Sequence, residues 1–429
     1  MKRVGIGLIG CGIVGGGVIN HLGRNHDLLL ERSGVDLFLA KIAVRDPSKA
    51  RGADPALITG DWKEVIFHPD VQIVVEMMGG TTLAREVAEA AIRAGKPLVT
   101  ANKALLAECG EDLLQLAEAR KVPVYFEASV AGGIPILKAL REGLRANHIL
   151  GIHGIINGTC NYILSRMADE GSSYEEVLAD AKRLGYAEAD ESLDVDGIDA
   201  AHKAAILASL AYGFWIRMDQ LYVEGIRKVT DLDMAFAKKL GYAIKLLATI
   251  RPNSSRAVEV RVHPTLIPRS HVLASVSGAY NAVAVQGDVV GNTLFYGRGA
   301  GPDATASAVL SDIAEAALAL DKDSAYRGFE KNTLYGRTVP MADVVTRYYV
   351  RLTVLNKPGV LARVAAIFGK HELGISSVFQ PEDHEDETVP LVMLLDYGKE
   401  SALQKAFNEI MSLDVVQEPC QVIRVEDFS

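Results

Sequence analysis

The chain has 429 residues, of which 49% are hydrophobic and 23% charged; this predicts two or three globular domains and excludes a disordered or fibrous chain. The net charge of -9, without a long basic run, argues against nucleic acid and anionic membranes as partners and favours small molecules. No apolar stretch approaches the ~18 residues of a transmembrane helix, and four scattered cysteines, Cys11, Cys109, Cys160 and Cys420, fit a reducing cytoplasm.

A glycine-rich turn follows the first predicted strand, residues 4–9. Gly10, Gly12 and Gly15 form the pattern G-x-G-x-x-G at the start of a helix, with Ile13 and Val14 between the last two glycines. Such glycines allow a tight turn and the close approach of a pyrophosphate, which the helix N-terminus then stabilises. The pattern in this setting predicts a dinucleotide site formed by these five residues.

The second strand is expected to end near Arg45, where dinucleotide-binding folds place the group that contacts the ribose. A guanidinium suits the 2′-phosphate of NADP, so NADP is favoured, while the neighbouring Asp46 leaves NAD open. A solvated arginine at a strand end is the structural alternative.

Short apolar strands alternate with helices as far as residue 126, which predicts a doubly wound, Rossmann-type parallel sheet over residues 1–130. Ligands bind beyond the carboxyl ends of such strands, where Thr100 and Lys103 lie. Lys103 either reaches the nicotinamide or the substrate, or serves as a helix-capping or phosphate-binding residue.

Two polar turns occupy the middle of the chain. The glycine-rich segment 127–136 can turn carbonyl groups inward around a monovalent cation, although a hinge between domains is the commoner meaning. Residues 157–159, after a predicted strand, either present backbone N–H groups to a carboxylate or reflect ordinary N-capping by Thr159.

The most distinctive stretch runs from Glu188 to Lys203 and reads E-A-D-E-S-L-D-V-D-G-I-D-A-A-H-K before an apolar run. Asp199 and Lys203, four residues apart, are expected on one face of a helix. A lysine that enters a covered helix must be paired, since a buried charge is costly. The structural alternative is a surface helix with a solvated ion pair.

The later sequence predicts further domains. Strands up to residue 296 indicate an α+β substrate-binding and oligomerisation domain over residues 131–302. A second glycine-rich turn with Gly301 enters a helix at 303–320, which either returns to the nucleotide site or is simply capped there. Residues 321–345 are a predicted linker, and residues 346–429 have the strand and helix order of a ferredoxin-like module, regulatory rather than catalytic.

Six segments together resemble homoserine dehydrogenase over residues 1 to about 345: G-C-G-I-V-G, T-A-N-K-A-L, E-A-S-V-A-G-G-I-P-I, N-G-T-C-N-Y-I-L, L-G-Y-A-E-A-D-E-S-L-D-V-D-G-I-D-A-A-H-K and G-R-G-A-G-P-D-A-T-A-S-A-V. The remainder, with L-N-K-P-G-V-L and L-G-I-S-S-V, resembles an ACT domain, an amino-acid-sensing module. The resemblance implies reversible reduction of L-aspartate 4-semialdehyde to L-homoserine with NADPH or NADH, in threonine, methionine and isoleucine biosynthesis.

The resemblance also implies residue roles. Lys203 would be the principal acid/base, with Lys103 as a second proton-handling or orienting group. The other implied contacts are Glu188, Asp194 and Asp199 for the ammonium and hydroxyl side of the substrate, Gly158 and Thr159 for its carboxylate, and Glu127, Val130, Gly132 and Ile134 for sodium. A homodimer or homotetramer is expected, with feedback inhibition by L-threonine through the ACT domain.

Two other functions stay open on the sequence. An acylating aspartate-semialdehyde dehydrogenase would need a cysteine nucleophile, for which Cys160 is the candidate. A nucleotide-sensing regulatory protein would use the C-terminal module as its output.

Overall fold

The computed structural model describes residues 2–46, 52–187, 190–320, 329–381 and 387–428. They form two compact units that alternate along the chain. The first unit comprises Met1–Ile152, His202–Asp219 and Asn281–Gly336, and the second comprises His153–Ala201, Gln220–Tyr280 and Arg337–Ser429. Glu188 and the first part of the predicted linker, 321–328, lie outside the described residues. Within the described ranges, no helix has the length and apolar character needed to cross a membrane.

The helices of the described chain are α1 Ile13–Arg24, α2 His26–Ser33, α3 Trp62–Ile66, α4 Thr82–Arg93, α5 Lys103–Arg120, α6 Ile136–Lys138, α7 Gly158–Glu170, α8 Tyr174–Arg183, α9 Ser192–Val195, α10 Ile198–Tyr212, α11 Asp231–Lys239, α12 Pro302–Ala319, α13 Val360–Lys370 and α14 Glu400–Met411. The strands are β1 Lys2–Ile9, β2 Val35–Ala43, β3 Ile58–Thr59, β4 Ile73–Glu76, β5 Leu98–Thr100, β6 Val124–Tyr125, β7 Ile149–Ile155, β8 Tyr222–Val223, β9 Tyr242–Pro252, β10 Val258–Pro268, β11 Tyr280–Gly287, β12 Gly291–Arg298, β13 Val345–Leu355, β14 Ile375–Phe379, β15 Thr388–Lys399 and β16 Val416–Val425.

A parallel sheet with strand order β3-β2-β1-β4-β5-β6 forms the centre of the first unit. The strand order reverses between β1 and β4, which makes the carboxyl ends of these two strands the topological switch point where ligands bind in such sheets. The predicted Rossmann-type, doubly wound fold is therefore confirmed.

The core of this unit explains why the strands form. Val4, Ile6 and Leu8 alternate along β1 and are buried, as is Ile73 of the neighbouring β4. Helix α12, far along the sequence, packs on α1: a Cβ added at Gly17 would lie 2.8 Å from the carbonyl oxygen of Pro302. A side chain at this glycine would separate the two helices.

The second unit contains a long antiparallel pair, β9 and β10, with Tyr242 opposite Pro268. Strands β8 and β16 pair with β10 in parallel over two residues each, so the sheet is mixed. The strand order β16-β13-β15-β14, with antiparallel neighbours and with α13 and α14 at the ferredoxin-like positions in sequence, matches the predicted C-terminal arrangement.

Candidate active site

The glycine turn after β1 is tight, with close backbone contacts at two of its glycines. Gly10 has φ +96°, and a Cβ there would lie 2.6 Å from the backbone carbonyl of Met77. A Cβ at Gly15 would lie 2.3 Å from the oxygen of Gly10, so the turn closes tightly onto α1. Gly12, by contrast, faces open space and caps α1 without a side chain that would compete with an anion for the first N–H groups. Ile13 and Val14 follow in the first turn of α1.

Arg45 lies at the same end of the sheet as this turn. The N–H of Gly10 donates to the carbonyl of Ala43 at 2.9 Å, and Arg45 follows two residues later with an exposed side chain. Positive charge is thus available beside the glycine turn, on the side of β2, where the adenosine ribose binds in such folds.

Thr100 is the last residue of β5, and Lys103 follows it at the start of α5. The Thr100 hydroxyl is fully buried and donates to Glu76 Oε2 at 2.7 Å, while Met78 N–H donates to Glu76 Oε1 at 2.7 Å. Burial raises the pKa of the Glu76 carboxyl. Asn102 caps α5 by accepting from Leu105 N–H, and Lys103 is the first residue of that helix. Helix capping is therefore the role of Asn102 and not of Lys103.

The segment 127–134 is buried at four predicted positions, Glu127, Val130, Gly132 and Ile134. Its backbone turns through two successive left-handed residues, with φ +54° and +45° at Ala131 and Gly132. A Cβ at Gly132 would lie 2.6 Å from the carbonyl oxygen of Gly299. The turn that contains Gly301, which has φ +115° and caps α12, therefore lies next to this segment.

Buried charge surrounds Glu127. Its carboxylate accepts from the N–H groups of Leu137 at 2.9 Å and Lys138 at 2.8 Å, and its own N–H donates to Asp312 Oδ2 at 2.8 Å. Burial and the charge of Asp312 raise the pKa of Glu127 to about 7, and burial raises the pKa of Asp312 to about 6. Lys138 partly balances this charge, with its Nζ 3.3 Å from Asp312 and 3.0 Å from Glu315. No three His, Cys, Asp or Glu side chains of the described chain gather as a metal site, so a cation here would depend on backbone carbonyls.

The acidic stretch divides into two groups of residues. Asp190, Glu191 and Asp196 have structural contacts: Asp190 accepts from Ser192, and Arg227 pairs with Glu191 and Asp196. Asp194, in α9, is half-buried and Asp199, in α10, is buried.

Asn157 brings the second group together. Its Nδ2 group donates to Asp194 Oδ1 at 2.7 Å and to Asp199 Oδ2 at 2.8 Å. The structural alternative of N-capping by Thr159 is wrong, because Asn157 caps α7 by accepting from Cys160 N–H at 2.8 Å. The Thr159 hydroxyl donates instead to the carbonyl of Tyr186 at 2.8 Å. Gly158 and Thr159 are the first residues of α7, so helix geometry leaves their N–H groups without intrahelical acceptors.

Helix α10 carries both Asp199 and Lys203, and both side chains are buried, at 7% and 8% exposure. A solvated surface ion pair is therefore excluded for this helix. Sequence reasoning missed Asn157 as a partner of the two aspartates, and the only signal was its position directly before a Gly-Thr helix start. It also missed Glu76, whose role depends on the buried contact with Thr100.

The parallel sheet and the tight glycine turn are typical of the class of dinucleotide-binding proteins. The model of the homoserine dehydrogenase NAD binding domain matches residues 10–127, and the model of homoserine dehydrogenase itself matches residues 135–314. The chain is 43% identical over 435 residues to a homoserine dehydrogenase of Pseudomonas aeruginosa, with 100% of both chains covered.

Solved structures of homoserine dehydrogenases also match this chain. The homoserine dehydrogenase of Thiobacillus denitrificans is 42% identical and superposes with a TM-score of 0.95 over 100% of this chain and 99% of that one. A hyperthermophilic archaeal homoserine dehydrogenase in complex with NADPH is 26% identical, with a TM-score of 0.64 over 76% of this chain and 100% of that one. The chain belongs to the homoserine dehydrogenase family.

The enzyme is thus a homoserine dehydrogenase, an oxidoreductase of amino-acid biosynthesis. The acylating alternative is not favoured: the Cys160 thiol is fully buried and donates to the backbone carbonyl of Asp194 at 3.2 Å. A purely regulatory nucleotide-sensing protein is equally disfavoured by the full-length match to enzymes.

Proposed function

We propose that this homoserine dehydrogenase uses NADPH in preference to NADH, with Lys203 as its principal acid/base and Asp194 and Asp199 as ligands of the substrate's ammonium group. The observation that carries the proposal is the position of Lys203 one turn beyond Asp199 on α10, with both side chains buried. Burial of a charged group costs free energy, and such groups are common at functional sites.

The cofactor assignment rests on the glycine turn and Arg45. Gly10, Gly12, Ile13, Val14 and Gly15 would hold the pyrophosphate, and the Arg45 guanidinium would pair with the 2′-phosphate that distinguishes NADPH from NADH. The archaeal relative is in complex with NADPH, which supports the same choice here. Thr100, Lys103 and Gly301 are proposed to contact the nicotinamide end, because Thr100 ends β5, Lys103 begins α5 and Gly301 caps α12 in the same unit.

The substrate carries an ammonium and a carboxylate group at one end. Asp194 and Asp199 offer two carboxylates to the ammonium, and the N–H groups of Gly158 and Thr159 suit the carboxylate. Glu188 keeps the substrate role implied by the family resemblance.

The chemistry needs a proton donor beside the reacting carbonyl. The bound nicotinamide supplies the hydride. The Lys203 ammonium would stabilise the negative charge that grows on the carbonyl oxygen and donate the proton that completes the alcohol. Lys103 is proposed as a second proton-handling or orienting group, and in the reverse direction Lys203 would accept the proton.

A monovalent cation, sodium, is proposed near Glu127, Val130, Gly132 and Ile134. The fit is supported by two buried carboxyl groups at this segment, those of Glu127 and Asp312, which the backbone N–H of Glu127 links. Inward backbone carbonyls of the left-handed turn would be its ligands. The cation would hold this turn in place and has no proposed part in the proton or hydride transfer.

The C-terminal module is proposed to be a regulatory ACT domain with L-threonine as its effector. The enzyme is proposed to assemble as a homodimer or homotetramer. The ferredoxin-like strand order supports the module, and turns at Gly359 and Gly374 are where the amino acid would enter. The scattered cysteines support a cytoplasmic location.

The test follows NADPH oxidation with L-aspartate 4-semialdehyde, repeated with NADH and with added L-threonine. Lys203→Met should lower kcat by ~100-fold or more while NADPH binding persists. Lys182→Met is the matched control, because Lys182 pairs with Glu191 in the structural part of the acidic stretch. A Lys203→Met enzyme with near-normal turnover would refute the acid/base role, and inhibition that is absent across a threonine titration would refute the effector.

A further inference from the structure

Asn157 has a contact pattern that its N-capping role alone does not require. Its side chain is 4% exposed and makes three hydrogen bonds. The Oδ1 atom accepts from Cys160 N–H, as a cap does, while the Nδ2 group reaches away from the helix to Asp194 and Asp199. A serine or aspartate would cap the helix equally well but carries no NH₂ group.

The orientation of the amide is fixed by its surroundings. The side facing α7 meets an N–H donor, and the side facing the acidic residues meets two carboxylates. A flipped amide would set a donor against the Cys160 N–H and an acceptor against two anions. Each proton of the NH₂ group therefore serves one carboxylate, at 2.7 and 2.8 Å.

The two aspartates approach the Asn157 amide from different elements of the chain. Asp194 lies in α9 and Asp199 at the start of α10, and the chain between them turns at Gly197, which has φ +86°. Two carboxylates that converge on one site repel each other, and one of them would tend to take up a proton. Hydrogen bonds donated to the charged forms favour keeping both ionised. The Cys160 thiol fixes the same segment from its backbone side, at the carbonyl of Asp194.

We propose that Asn157 is a positioning residue that holds the Asp194 and Asp199 carboxylates side by side as a joint acceptor for the substrate's ammonium group. The proposal rests on the substrate role assigned above to these two aspartates. Asn157 itself does not touch the reacting atoms, so its loss acts through the two carboxylates.

Two variants separate bridging from capping. Asn157→Ser keeps a helix-capping oxygen and removes the bridge; we expect the KM for aspartate semialdehyde to rise about tenfold or more while the KM for NADPH is unchanged. Asn157→Asp keeps the cap and the shape but adds a third carboxylate. Its kcat/KM should fall most at high pH and recover relative to wild type as the pH is lowered, because one added proton restores an O–H donor between carboxylates.

Asn161→Ser is the matched control, since Asn161 is also buried in α7 but donates to the backbone carbonyls of Val276, Gly278 and Tyr280. This variant should lower thermal stability without a selective change in substrate KM. Asp194→Asn and Asp199→Asn are measured in parallel. If they leave the substrate KM unchanged, the proposed substrate site is wrong. If they raise it while the folded Asn157 variants show wild-type KM and pH profile, the bridging role alone is wrong.

Discussion

The guanidinium of Arg351 meets the carboxylate of Asp233 edge to edge, with Nε 2.7 Å from Oδ1 and a terminal nitrogen 3.1 Å from Oδ2. Arg351 is in β13 of the C-terminal module, and Asp233 is in α11 of the preceding part of the same unit. Both residues are buried, and the Tyr349 hydroxyl adds a bond to Asp233 Oδ1 at 3.0 Å. The module is therefore joined to the rest of its unit by a buried ion pair, which makes its deletion a poor test of regulation.

Removal of one partner of this pair should destabilise the protein strongly. We expect Arg351→Met to lower the free energy of unfolding by about 3–5 kcal/mol, because Asp233 would be left as an uncompensated buried charge. Combining it with Asp233→Asn should cost less than the sum of the single changes. Urea unfolding of the four proteins measures the coupling. Arg217→Met, in an exposed pair with Asp219, is the control and should change stability little, because solvent screens an exposed ion pair. Additive effects of the two buried changes would contradict the coupling.

Alanine substitutions at two neighbouring glycines of α1 should change the stability of the protein in opposite directions. Gly17→Ala should destabilise the first unit by about 1–3 kcal/mol, since its Cβ would lie 2.8 Å from the Pro302 oxygen, a backbone atom. Gly16→Ala meets nothing within 4 Å and should stabilise the helix by about 0.5–1 kcal/mol. Thermal unfolding of both variants measures these stability changes. If both variants were more stable than the wild type, α1 and α12 could move apart without loss of stability.

Stability should depend on pH through Lys245. Its ammonium is buried and donates to Val276 O at 2.6 Å and Asn161 Oδ1 at 3.1 Å. Burial lowers the pKa of Lys245 to about 8, below its ordinary 10.5. The unfolded chain therefore binds the proton more tightly, and this contribution to stability grows as the pH rises from about 8 to 10.5 and is lost as the pH falls through about 8.

The variant Lys245→Met should flatten this pH dependence. The measurement is urea unfolding of wild type and variant from about pH 7.5 to about pH 10, taken as the difference between the two proteins. Lys238→Met, at an exposed position of α11, controls for the loss of one ammonium group. A difference between wild type and Lys245→Met that is constant across the range would refute the assignment.

Arg45→Ala should change the choice of cofactor. Loss of a charged hydrogen bond to the 2′-phosphate is expected to raise the KM for NADPH by about 10- to 100-fold and to leave the KM for NADH nearly unchanged. Steady-state kinetics with both cofactors measures this, with Arg93→Ala as a control at an exposed arginine that pairs with Glu89. Equal changes for the two cofactors would mean that Arg45 does not contact the phosphate.

Much of the fold followed from local patterns. Gly10, Gly12 and Gly15 after an apolar strand predicted the dinucleotide turn, because glycine spacing and strand burial are properties of neighbouring residues. The strand and helix order of the C-terminal module was likewise readable from periodicity. The parallel contacts of β10 with β8 and β16 were not, since strand neighbours distant in sequence are chosen by packing.

The amino-acid sequence by itself determined the dinucleotide turn, the acidic stretch before Lys203 and the family resemblance, all of which depend on residue identity and short spacing. Only the tertiary structure decided which of these acidic residues lie close together. Asp190, Glu191 and Asp196 are engaged at the surface by Ser192 and Arg227, whereas Asp194 and Asp199 converge on Asn157. The physical reason is that Asn157 lies 37 residues before Asp194 and 42 before Asp199, and a contact at that separation exists only once the helices have packed.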